Sequence, residues 1–408
     1  MNCRHCQQPL QHMFVDLGFA PPSNAYLTAD GLKKPELYFP LKLFVCEHCW
    51  LVQTEDYTSA ESLFNKDYAY FSSTSHSWLE HAKRYSQMII ERENLGADSF
   101  VIEIAANDGY LLKNFVSADI PCLGIEPTDS TAAAAEKLGI PVMREFFGEK
   151  LGKQLAEQGK QADLIAGNNV YAHVPDINDF TKGIKAVLKT DGIVTLEFPH
   201  LMRLIEHVQF DTVYHEHFSY LSLFTVNQIF AKAGLRIFDV EELPTHGGSL
   251  RIFGCHKENT REELPSVSKI LDDEKQHGLR DLKIYSEFQS KADHIKNELL
   301  TFLITQKEQG KTVAAYGAAA KGNTLLNYAG IKSDLLPFVC DAATSKQGKF
   351  LPGSHIPIYP PERLKDQPDY ILIFPWNIAN EIKSQLATII AQDKTQLLVA
   401  VPEIRTLQ

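Results

Sequence analysis

Residues 99–127 leave the least freedom of any stretch in this 408-residue chain. Residues 100–104 are a short apolar run rich in β-branched side chains, and the small, turn-forming residues Ala105, Ala106, Asn107, Asp108 and Gly109 follow at once. Residues 110–116 then carry helical spacing, and a second apolar run at 121–125 ends on Glu126. Strand, tight loop, helix, strand and a closing carboxylate are the layout of a doubly wound α/β nucleotide fold.

The charges around that loop select among nucleotides. A pyrophosphate wants bare backbone N–H groups at a helix start, with no carboxylate beside it. Here Glu103 lies in the first strand, Asp108 in the loop and Glu126 after the second strand. Three acids suit a ligand with an amino group, a sulfonium and a ribose diol, which is S-adenosylmethionine. Glu126, followed by Pro127, is spaced to accept the ribose hydroxyls. An ordinary buried βαβ unit with surface acids is the plainer alternative.

The totals bound the rest. A chain of this length needs two or three domains. The net charge of −11 argues against a nucleic-acid partner, which needs a basic face. No run approaches the roughly 20 apolar residues of a membrane span, and MNCRHCQQPL lacks the apolar core of a signal peptide. Seven cysteines without a secretory signal imply a reducing compartment. The expectation is a cytoplasmic protein, monomeric, with no membrane partner.

Cys3-x-x-Cys6 and Cys46-x-x-Cys49 are two closely spaced thiol pairs, the ligand set of a structural zinc ion. Cys122, Cys255 and Cys340 lie in apolar runs and read as core. Residues 67–78, DYAYFSSTSHSW, are rich in hydroxyls. They read either as a turn into an amphipathic helix or as a lid whose hydroxyls reach a ligand. A strand at 164–166 ends in Gly167-Asn168-Asn169, which places both asparagines at the ligand edge of an α/β sheet, with His173 just beyond.

The densest chemistry is Tyr214-His215-Glu216-His217-Phe218-Ser219-Tyr220. A metal site and an acid/base cluster both fit. The second is favoured because spacing supplies no third ligand. Residues 245–251, THGGSLR, read as a hairpin turn, with Arg251 a further candidate for substrate contact, and residues 261–309 as a helical connector. A second nucleotide-fold signature follows, a strand at 312–316 and then Gly317-Ala-Ala-Ala-Lys321-Gly322-Asn323. Two glycines and a lysine at a helix start favour phosphate. The next strand ends on Asp341, suited to a sugar hydroxyl, and a later one leads to Pro375-Trp376-Asn377.

Taken in order, the paired CxxC motifs, EIAANDGYL, NNVYAHVPD, YHEHFSYLS, HGGSLR, YGAAAKGNTLLNY and the PGSHIPIYPPE–FPWNIANEI tail resemble one family across essentially the whole chain. It is the zinc-containing, S-adenosylmethionine-dependent C-methyltransferases that act at C-3 of nucleotide-linked 4-keto-6-deoxy sugars. The resemblance implies a zinc module (1–66), a class I methyltransferase Rossmann-like domain (67–256), a helical connector (257–310) and a Rossmann-like α/β domain (311–408) that helps hold the nucleotide sugar. It implies Tyr214, Glu216, His217 and His173 at the reacting centre, with Tyr68 or Tyr70 from the hydroxyl-rich segment. Cofactor contacts are expected at Glu103, Ala105, Asn107, Gly109, Glu126, Pro127, Asn168 and Asn169. Substrate contacts are expected at Lys321, Gly317, Asn323, Asp341, Arg251, Trp376 and Asn377. One departure is that Ala105 and Asn107 stand where such loops carry glycine. Rival readings are an NAD-dependent sugar-nucleotide oxidoreductase, an O- or N-methyltransferase, and a non-catalytic zinc scaffold.

Overall fold

A computed structural model describes residues 1–55, 57, 71–390 and 394–407. Tyr68 and Tyr70 lie outside the described residues. Two compact units emerge, each assembled from separated segments. The first comprises Met1–Leu10, Cys46–Met202 and Phe218–Arg280; the second comprises Gln11–Val45, Arg203–His217 and Asp281–Gln408. Packing therefore divides the chain elsewhere than at 66, 256 and 310. The stretch between the two cysteine pairs joins the second unit, and the connector splits at 280/281.

The first unit is built on a seven-stranded sheet. Its strands are β1 (Val101–Ile104), β2 (Cys122–Ile125), β3 (Val142–Met143), β4 (Ala162–Asn168), β5 (Leu188–Pro199), β6 (Leu235–Leu243) and β7 (Ser249–His256). The order is β6-β7-β5-β4-β1-β2-β3, with β7 antiparallel to both neighbours and β1 to β5 parallel. β1 and β2 are buried along their whole length, as expected of central parallel strands covered on both faces. Leu243 pairs with Ser249, so THGGSLR is the predicted hairpin turn. Helix His76–Glu93 begins at Ser75, whose side chain accepts from the Trp78 amide, and helix Ile177–Val187 begins at Asp176, which caps two amides. The loops after β1, β2 and β4 thus gather at the carboxyl edge, where doubly wound sheets bind ligands.

The second unit carries a six-stranded sheet of β8 (Val313–Tyr316), β9 (Val339–Cys340), β10 (Ile358–Tyr359), β11 (Tyr370–Ile373), β12 (Gln396–Val399) and β13 (Arg405–Thr406). The order is β10-β9-β8-β11-β12-β13, parallel except for β13. The antiparallel strands His12–Ala20 and Phe39–Val45 belong to this unit. They pack on the helical segment through Phe14, which stacks on Phe288 at 4.4 Å and meets Tyr285 edge-on at 5.6 Å. Among the described residues no helix is long and apolar enough to cross a membrane.

Candidate active site and cysteine centre

In the first unit the loop after β1 uses left-handed backbone at three alternate positions, Ala105 (φ +59°), Asn107 (φ +49°) and Gly109 (φ +80°). Glycine is favoured at 109 by its positive φ and because a Cβ there would crowd the Ala135 backbone at 3.2 Å. At 105 a left-handed alanine costs about 1–2 kcal/mol, and glycine's extra unfolded-state entropy returns only part of it. Ala105→Gly is expected to stabilise the protein by up to about 1 kcal/mol, read as a small rise in melting temperature.

Glu126 accepts the Asn107 amide on one oxygen and the Thr128 amide on the other, both at 2.9 Å. Each oxygen retains lone-pair capacity for a ribose hydroxyl. Asp108 accepts the Ser73 amide at 3.0 Å, and Asn107 Oδ1 accepts the Ser72 amide at 2.9 Å. The described part of the hydroxyl-rich segment therefore braces this loop through its backbone. Two of its hydroxyls are used locally, Thr74 on the Phe71 carbonyl and Ser75 as a helix cap.

Glu103 differs in burial from the exposed acids of the chain. It is fully buried, and burial, reinforced by the nearby Glu126 and Asp108 charges, raises its pKa well above the carboxylate range despite the Tyr110 hydroxyl and Leu112 amide. Asp108 and Glu126 are already partly satisfied by amides.

Buried polar atoms without hydrogen-bond partners cluster on these elements: Asp108 Oδ1, both Asn168 amide atoms and Asn169 Oδ1. Orphaned groups of this kind are costly unless a ligand satisfies them. They fit the polar ends of S-adenosylmethionine. Asn169 is held in left-handed backbone (φ +55°), and its Nδ2 lies 2.8 Å from His246 Nε2. Pro127 and His173 are half-buried beside the carboxyl edge.

Behind this edge lies a charge network that sequence reasoning missed. Glu197, at the end of β5, receives Thr245 Oγ1 at 2.8 Å, Arg251 Nη2 at 2.7 Å and His81 Nε2 at 2.8 Å. Burial alone would raise its pKa; the His81 hydrogen bond and the Arg251 charge more than reverse that, and the net shift is downward. Arg251, expected to touch substrate, is 4% exposed, pairs also with Glu241 and stacks over Tyr85. Its two Nη groups are taken up inside the fold.

In the second unit, His217 is buried and its ring lies 4.1 Å from that of Tyr214, within a turn closed by the His217 amide on the Tyr214 carbonyl. Both Glu216 oxygens accept from Asn24 Nδ2, at 2.8 and 3.0 Å. His215 is structural: its Nε2 lies 3.2 Å from the Pro40 carbonyl, and burial lowers its pKa. Asn24 was not foreseen, because nothing in PPSNAY connects it to a carboxylate 192 residues away.

Lys321 donates to Asn377 Oδ1 at 2.7 Å, and its Nζ lies 4.3 Å from the centre of the Trp376 ring. Part of this side chain is accessible, yet enough protein surrounds the amine that desolvation lowers its pKa to about 8, against the opposing charge of Asp211. Asp211 accepts Trp376 Nε1 at 2.7 Å, and burial pushes its pKa up to about 6. Gly317 donates its amide to the Cys340 carbonyl, and its missing Cβ makes room for Pro375. It contributes space to the loop. Asn323 is 1% exposed and gives its Nδ2 to the Ser23 carbonyl. Asp341 caps the Ala343 amide and lies 3.5 Å from Lys346 Nζ.

The sulfurs of Cys3, Cys6, Cys46 and Cys49 lie within 4.8 Å of one another, with Cys3–Cys49 and Cys6–Cys46 at 3.5 Å. Tetrahedral zinc with bonds near 2.3 Å wants sulfurs about 3.8 Å apart. The two pairs fold alike. The residue after each, Gln7 (φ 65°) and Trp50 (φ 62°), is left-handed and donates its amide to the first cysteine's carbonyl. The Cys49 hydrogen bond lowers the Cys3 pKa to about 5, whereas burial pushes Cys46 up to about 11. Such a cluster resists a second thiolate until a cation compensates, and four cysteines leave no open position, so zinc here is structural.

Residues 3–64 match a family model for a zinc binding domain, residues 78–240 a methyltransferase domain, and residues 244–402 a C-methyltransferase C-terminal domain. The chain is 32% identical over 407 residues to C-methyltransferase NovU of Streptomyces niveus, covering 100% of this chain and 96% of NovU. Solved structures with similarity include PH0226 from Pyrococcus horikoshii OT3 (13% identity, 46% of this chain and 95% of that one, TM-score 0.39). Another is magnesium protoporphyrin IX methyltransferase from Synechocystis PCC 6803 with bound SAM (12% identity, 50% and 100%, TM-score 0.37).

Sheet order, carboxyl-edge loop and family models together define an S-adenosylmethionine-dependent methyltransferase. Carbon is the acceptor atom: the chain belongs to the zinc-containing C-methyltransferase family that its motifs resemble. Oxidoreductase, scaffold and O- or N-methyltransferase readings give way to that membership.

Proposed function

We propose that the protein methylates C-3 of a nucleotide-linked 4-keto-6-deoxy sugar, with dTDP the expected carrier, through an enolate. Methylation at a saturated carbon dictates the chemistry. Such a carbon has no lone pair, so a proton must leave first, and a neighbouring carbonyl makes that loss tolerable by delocalising the charge. The observation that carries the reading is the Tyr214–His217 turn, a buried imidazole against a phenol, with Glu216 next to His217 in the chain.

In this mechanism His217 takes the C-3 proton as general base. Tyr214 or His173 donates to the developing oxyanion, a role worth about 3 kcal/mol per donor. Glu216 orients an imidazole or binds a sugar hydroxyl, and Tyr68 or Tyr70 completes the set. Bound S-adenosylmethionine supplies an electrophilic methyl group on a cationic sulfur. Glu103, Glu126, Pro127, Asn168, Asn169 and the loop containing Ala105, Asn107 and Gly109 hold it. Lys321, Trp376, Asn377 and Asp341 bind the nucleotide sugar. The enzyme is read as a cytoplasmic monomer.

Lys321 gives this reading a pH signature. Below a pKa of about 8 the amine is charged and attracts a diphosphate; above it the charge is lost. The KM for the sugar nucleotide is expected to rise about tenfold between pH 7 and pH 9. Lys321→Arg, ionised throughout, should flatten the rise, and Lys321→Met should raise KM at every pH.

The deciding test incubates the enzyme and S-adenosylmethionine with dTDP-, GDP- and CDP-linked 4-keto sugars, read by mass, and follows exchange of the C-3 proton in deuterated water. Methyl gain and exchange with a 4-keto sugar support the proposal. Methylation of a sugar lacking the 4-keto group would overturn it.

A further inference from the structure

We infer that Asn24 is a positioning residue that fixes the Glu216 carboxylate for the reaction; the inference rests on the proposed place of Glu216 at the reacting centre. A carboxylate only accepts, so the amide of Asn24 necessarily presents its NH2 to it. That one nitrogen reaches both oxygens, at 2.8 and 3.0 Å. A donor shared between the two oxygens fixes the plane of the carboxylate.

The backbone that carries Asn24 is held on both sides. Before it, the Ser23 carbonyl accepts Asn323 Nδ2 at 2.6 Å. After it, Leu27 and Phe350 exchange amide hydrogen bonds at 3.0 and 2.8 Å, and the Ala25 amide closes a turn onto the Pro22 carbonyl. Tyr26 reaches the Ala318 carbonyl through its hydroxyl at 2.6 Å, and Lys346 Nζ reaches the same carbonyl at 2.8 Å. The strap is thus pinned to the loop that ends in Lys321. A side chain on such a support loses little further freedom when it holds its partner, which is what preorganisation requires.

The test is a double-mutant cycle on steady-state turnover of the 4-keto sugar nucleotide identified by the substrate panel. Asn24→Ala is expected to lower kcat about tenfold, in line with losing a hydrogen bond to a charged group, with KM for S-adenosylmethionine unchanged. Asn24→Asp, which sets a second carboxylate against Glu216, should lose more, and Asn24→Gln, which keeps the amide, should recover part of the activity. In a Glu216→Gln background the Asn24→Ala effect should vanish, because a residue acting through Glu216 has nothing left to position. An equal fold-loss in both backgrounds, or wild-type kcat in both Asn24→Ala and Asn24→Asp while Glu216→Gln is impaired, overturns the inference alone. Wild-type kcat in Glu216→Gln itself overturns the role given to Glu216, and this inference with it.

Discussion

His217→Asn is expected to lower turnover by a hundredfold to ten-thousandfold, the range that a positioned general base supplies, and to abolish exchange of the C-3 proton with solvent. The asparagine amide has no titratable lone pair near neutral pH, so it can occupy the place of the imidazole without taking a proton. The residue is only 7% exposed, and bulk base cannot readily replace it. Because the cofactor groups are on the first unit and His217 on the second, affinity for S-adenosylhomocysteine measured by calorimetry should stay within a few-fold of wild type. Loss of turnover with cofactor affinity intact separates lost chemistry from lost folding. Should turnover and proton exchange both survive, the base lies elsewhere, and Tyr214 or His173 becomes the residue to replace.

What could be read in advance follows from how local each feature is. β1 and the strand after it were legible because central parallel strands are apolar throughout, and the loop between them because Asn and Gly at 107 and 109 are residues that accept left-handed backbone. The two cysteine pairs were legible because each is a four-residue turn. The upward shift of the Glu103 pKa was not legible because burial causes it, and spacing does not reveal burial. Arg251 was given to substrate for the same reason: the strand supplies the residue, but Glu197 and Glu241, which occupy it, come from β5 and β6. Asn24 and Asp211 were invisible because their partners, Glu216 and Trp376, are 192 and 165 residues away. The packing of residues 11–45 with the second unit was not legible for a related reason. A segment between two metal-binding turns reads as part of their module unless its strands are seen to pack on Phe288.

Loss of the zinc site should have the largest effect on stability. Cys49→Ser or Cys46→Ser is expected to abolish stoichiometric zinc, to lower the melting temperature sharply and to leave most of the protein insoluble. A structural zinc contributes roughly 10–16 kcal/mol of binding free energy in small modules, comparable to or larger than the whole stability of a typical domain, about 5–15 kcal/mol. The damage should not stay within residues 1–10 and 46–55. The Cys49 carbonyl accepts from Thr225 Oγ1 and Gln228 Nε2, each at 3.1 Å, and the His5 carbonyl accepts from Lys232 Nζ at 2.9 Å and Asn178 Nδ2 at 3.0 Å. Those partners sit on helices Leu223–Ala233 and Ile177–Val187, which cover the methyltransferase sheet. A collapsed knuckle therefore withdraws acceptors from two helices of the first unit at once. Elemental analysis and melting curves with and without chelator give the readout. If Cys49→Ser keeps both its melting temperature and its affinity for S-adenosylhomocysteine, the four sulfurs are not what holds this end of the fold.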